Sequence, residues 1–76
     1  MNATTPSLSD LFGQLGLASD SAAIDRFIER HRPLDSSTHI QDAPFWSEAQ
    51  ASFIQGSLVE DAEWAEVIDQ LNMRLR

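Results

Sequence analysis

The chain has 76 residues, with 12 acidic side chains against 5 basic ones, a net charge of −7 and no cysteine. That length supports one small domain, which buries only about 60% of its unfolded surface and has neither disulfide nor thiolate metal site to staple it. The acidic balance repels phosphate backbones and argues against nucleic acid, and no apolar run approaches the ~20 residues that span a bilayer.

Met1 to Pro6 carries no positive side chain and Asp10 interrupts the first apolar segment, so no signal peptide is expected. Residues 1–6 read as a flexible N-terminus of a single helical domain over 1–76. The lack of cysteine fits a reducing cytoplasm. Leu8, Leu11, Phe12 and Leu15 then recur at three- and four-residue spacing, which predicts a short amphipathic helix. Ser7, with Asp10 three residues on, marks its start and Gly16 its stop. Gly13 weakens the helix from inside, so tertiary contacts must hold it.

A second helix begins at a Ser19 or Asp20 cap and buries Ala23, Ile24, Phe27 and Ile28. Pro33 ends it, because the residue before proline avoids helical geometry. Arg30, His31 and Arg32 thus fall in the last turn, where positive charge suits the helix dipole. Pro33 to Trp46 has no helical period and carries Asp35-Ser36-Ser37-Thr38, so it reads as a linker, most mobile at its Ser-rich start. Leu34, Ile40, Ala43 and Phe45 are expected to pin its ends to the core.

Ala43-Pro44-Phe45-Trp46-Ser47-Glu48-Ala49-Gln50 spells out a helix start. Pro44 holds the approach extended, and Ser47 with Gln50 makes a reciprocal capping box. From Gln50 to Leu75 the apolar residues fit a single stripe. One helix over 48–75, about thirty residues with its ends, is about 45 Å long and out of proportion with the domain. Asp61 also lies mid-stripe, where an apolar face disfavours it. A break near Glu60 is therefore expected, with Asp61 capping a fourth helix. The fold class that follows is all-α, a compact bundle of about four short helices.

Three segments, His31-Arg32-Pro33-Leu34, Ala43 to Gln50 and Asp61 to Leu71, resemble together a bacterial family of short proteins, domain-of-unknown-function family 2789. The opening Leu8-Ser9-Asp10-Leu11-Phe12-Gly13-Gln14-Leu15-Gly16-Leu17 resembles its start, so the similarity covers nearly the whole chain. The resemblance implies a small, stand-alone helical protein and supplies no activity or catalytic residue.

The chemistry-bearing side chains form few constellations. His31, Asp35, His39 and Asp42 match no metal-ligand spacing and read as solvated loop residues. Glu60, Asp61, Glu63 and Glu66 lack the desolvated cleft that acid–base catalysis needs, and read as a solvated helix start. No nucleophile arrangement is present, so no enzyme, cofactor or metal is expected. Eight acids fall between Pro33 and Met73, a stretch without lysine or arginine, and form a face suited to a basic partner. Phe45, Trp46 and Trp64, ringed by Glu60 and Glu63, are candidate partner-binding residues. Arg26, Arg30, His31 and Arg32 form the one basic cluster and a candidate anion site. The leading expectation is a non-enzymatic cytoplasmic protein acting through protein–protein contacts, by self-association or by binding a basic partner. The alternative is a small-anion or small-ligand binding protein built on the arginine cluster.

Overall fold

A computed structural model describes residues 6–76. The expectation of a flexible segment over 1–6 therefore lies outside the described residues, apart from Pro6. Four α-helices follow one another: α1 (Leu8–Gln14), α2 (Ser21–His31), α3 (Glu48–Glu60) and α4 (Ala62–Leu75). No strand occurs among the described residues, and no helix there is long and apolar enough to cross a membrane.

Each helix begins where a short polar side chain supplies the acceptor that the first backbone N–H groups lack. Ser7 Oγ accepts from Asp10 N–H while the Asp10 carboxylate accepts from Ser7 N–H. Asp20, rather than Ser19, caps α2 by accepting from Ala23 N–H at 3.2 Å. Ser47 and Gln50 form the reciprocal box on α3. Asp61 takes the N–H groups of both Glu63 and Trp64, so the break falls where the sequence places it. One residue separates α3 from α4.

At its other end α1 closes in the left-handed turn that glycine permits. Gly16 has φ +75°, its N–H donates to Gly13 O, and Leu17 N–H reaches back to Phe12 O. That pairing satisfies two orphan carbonyls and sets Leu17 against the helix it has just left.

The core is assembled around α4, which packs against the other three helices. Val67, Ile68, Leu71 and Leu75 of α4 are fully buried, together with Leu11 and Phe12 of α1 and Ile54 of α3. The connection from α2 to α3 is more ordered than its composition suggests. Leu34, Ile40, Ala43 and Trp46 are buried, and Phe45 is half-buried. Ile40–Asp42 forms a single 3-10 turn that the sequence reading missed. Leu34 N–H donates to Leu75 O at 2.6 Å, and Arg76 Nη1 to Asp35 O at 2.6 Å, so the linker also covers the carbonyl end of α4.

Candidate functional site

The candidate residues fall on distinct parts of this frame. Phe27 of α2 is the hub of an aromatic cluster. It meets Phe12 edge-on at 5.2 Å, Phe45 edge-on at 5.5 Å and Trp46 in a stack at 5.6 Å. Trp46 is only 9% exposed, and its indole N–H donates to Ile40 O at 2.8 Å. Its polar tip is thus satisfied inside the protein. Trp46 is a core residue.

His31 joins the same cluster and departs from the basic set expected of it. Its ring lies 4.2 Å from Phe45, nearly parallel, and 4.4 Å from Phe27. Partial burial lowers its pKa from the ordinary value, and the neighbouring Arg30 charge lowers it further. The imidazole is held toward its neutral form. Arg32 also leaves the set, because it pairs with Glu29 at 3.5 Å.

Arg26 and Arg30 remain together. They lie one helical turn apart on α2 and line an open groove of about 640 Å³ with Phe12, Leu17, Ala23 and Phe27. No ion pair engages either arginine among the described residues. The two ion pairs present there are Arg32–Glu29 and Arg74–Asp25, the latter at 3.0 Å.

A second surface is the corner between α3 and α4. Trp64, in the first turn of α4, is half-buried and meets Phe53 of α3 edge-on at 5.7 Å. Aromatic contacts do not link it to Phe45 or Trp46, so the three rings expected in one patch divide between two places. Close to Trp64 in the chain are Glu60 and Glu63, both exposed, and Val59, which is 77% exposed. Glu66 continues the acidic row one turn along α4. None of these glutamates takes part in an ion pair among the described residues. Val59 was overlooked in the sequence because the α3 stripe runs through Leu58, and the two neighbours differ only in which way the helix turns them.

His31, Asp35, His39 and Asp42 do not gather. Among the described residues no three of His, Asp and Glu are grouped so as to hold a metal ion. Asp35 instead turns its carboxylate onto the backbone N–H and hydroxyl of Ser37. Those bonds hold its pKa below the usual carboxylate value against an opposing effect of desolvation, with a lesser contribution from the Arg76 charge.

Compared with known proteins, residues 1–75 match the model of a family described as "Protein of unknown function (DUF2789)". No curated protein and no solved structure matches the chain.

Proposed function

We propose a function from the surface alone, since the chain belongs to the family described as Protein of unknown function (DUF2789), a description that names no activity. The protein is a non-enzymatic docking module whose α3–α4 corner binds a basic protein partner. One observation carries this reading: Glu60, Glu63 and Glu66 are exposed and without basic partners among the described residues, in the same short stretch of chain as exposed Val59 and half-buried Trp64. Glu63 and Glu66 lie one turn apart on α4, where like charges destabilise the helix slightly, and a cationic partner relieves that repulsion. The aromatic edge and the valine give such a partner apolar area, which charge alone does not provide.

Self-association is the weaker form of the reading. Each copy carries a net charge of −7, which opposes the approach of two copies. Among the described residues Val59 and Met73 are the large apolar side chains left exposed, too few to form an extended sticky face. A reducing cytoplasm is the compartment assigned, supported by the lack of cysteine. A second reading, small-ligand binding at Arg26 and Arg30, is favoured by the groove they line.

The test is capture from a native extract on immobilised protein at low and high salt, with the double variant Glu60→Lys, Glu63→Lys alongside. Wild type should retain basic proteins that high salt releases and that the variant fails to hold. Equal retention by both proteins removes the corner from consideration. Sedimentation across a wide concentration range should show a monomer, and a salt-sensitive dimer would return self-association to first place.

A further inference from the structure

The groove between α2 and the α1–α2 turn carries a second, independent assignment. Its floor is apolar and largely aromatic: Phe12 and Phe27 meet edge to face there, and the turn at Gly16 sets Leu17 beside them. Its volume, about 640 Å³, falls in the range of small-molecule sites. Its rim is charged in a particular way. Asp25 and Glu29 also line it, but Arg74 and Arg32 already pair with them. Arg26 and Arg30 are left as two positive charges on one helix face, without an ion pair among the described residues, in a chain of net charge −7.

We propose that this groove binds a small amphipathic anion, a carboxylate carried on an apolar body. The carboxylate bridges Arg26 and Arg30, whose planar guanidinium groups can each offer two parallel N–H donors. The apolar body lies on the half-buried Leu17 and Phe27, with buried Phe12 behind them, and removes those two side chains from water. Each half of the site excludes a simpler ligand. A bare inorganic anion leaves the floor wet, and an uncharged apolar molecule leaves the arginines without a counter-charge. The acidic corner of a second copy has suitable chemistry, but it must bring a whole chain of charge −7 with it, whereas the small ligand brings a single charge. This assignment does not depend on the α3–α4 corner.

The test is an amide-resolved NMR titration with octanoate, run beside 1-octanol and inorganic phosphate. Octanoate should give saturable shifts confined to Leu17, Ala18, Ala23, Arg26, Phe27 and Arg30. The double variant Arg26→Gln, Arg30→Gln should weaken it by about tenfold or more, since two charge-assisted contacts are lost. Both arginines are exposed, so the variant retains the fold, and an unchanged spectrum away from α2 verifies this. Ala18→Glu keeps both arginines but sets a competing carboxylate on the groove, and should weaken octanoate as well. Four outcomes overturn the assignment: scattered or non-saturating shifts, phosphate binding as tightly as octanoate, octanol binding as tightly as octanoate, or full affinity in the arginine variant. Ligand-free shifts at the groove that grow with protein concentration overturn it too, in favour of a second copy as occupant.

Discussion

Gln50 performs two tasks with the two ends of one amide. Its oxygen accepts from Ser47 N–H at 2.8 Å, completing the box that starts α3, while its nitrogen donates to Leu15 O at 2.8 Å, at the end of α1. The first bond is legible in the sequence because it spans three residues. The second spans thirty-five, and no local pattern announces it. Gln50→Glu separates the two, since a carboxylate keeps the acceptor and loses the donor. The variant should be less stable by about 1–2 kcal/mol in urea denaturation, because a partly buried carbonyl loses its partner. Ser47→Ala should cost about 1 kcal/mol through the cap alone. A Gln50→Glu midpoint equal to wild type means that the bridge to α1 contributes nothing. His31 gives a pH dependence whose sign is fixed by its surroundings. Burial, then Arg30, sets its folded pKa below the ordinary value of about 6.5. Between the folded and unfolded values the unfolded chain binds a proton that the fold resists, so stability falls as pH drops through this window. The full contribution is present above pH about 6.5. Melting curves of wild type and His31→Phe over this range should diverge on acidification, with wild type losing more. Parallel curves refute a neutral, stacked imidazole.

At the scale of elements, four helix starts are readable because each depends on chemistry within three residues: Ser7, Asp20, Ser47 and Asp61. Asp61 matters most, since it divides what apolar spacing alone presents as one long helix. Asp61→Ala should cost about 1 kcal/mol, as it removes the acceptor for two N–H groups at the start of α4. Hydrogen exchange or circular dichroism should place the loss in α4; an unmoved unfolding midpoint makes the cap dispensable. The Ile40–Asp42 turn is less legible, because three residues have no period to detect. The candidate sites were harder still. Sequence proximity places His31 with the arginines and residue type places Trp46 with Trp64; the fold stacks the His31 ring on Phe45 and sets the two tryptophans in separate aromatic contacts. Acrylamide quenching of single-tryptophan proteins should reflect that division. In Trp64→Phe the remaining Trp46 should be well protected by its stack on Phe27, and in Trp46→Phe the half-buried Trp64 should quench more readily. The reverse order makes Trp64 the core residue and weakens the case for the α3–α4 corner.

Across the whole molecule charge is unevenly distributed. The arginines lie on α2 and at the C-terminal end of α4, while α3 and most of α4 carry acids alone. A chain built in this way should have its encounters tuned by ionic strength more than by divalent ions. EDTA should leave its melting temperature unchanged, and a fall restored by zinc overturns that expectation. The path from α2 to α3 has a consequence of another kind. Leu34 is tied to the end of α4, and the Trp46 indole reaches back across the 3-10 turn to the O of buried Ile40. A connection held in this manner belongs to the cooperative unit and does not act as a tether. In deuterated solvent the Trp46 indole proton should exchange only as fast as the molecule opens globally, in step with the amides at the centre of α4. The exposed turn at Asp35 to Ser37 should exchange well ahead of both and should accept extra residues at little cost in loop entropy. The same insertion between Ile40 and Trp46 should break the latch and let the two halves of the bundle open separately.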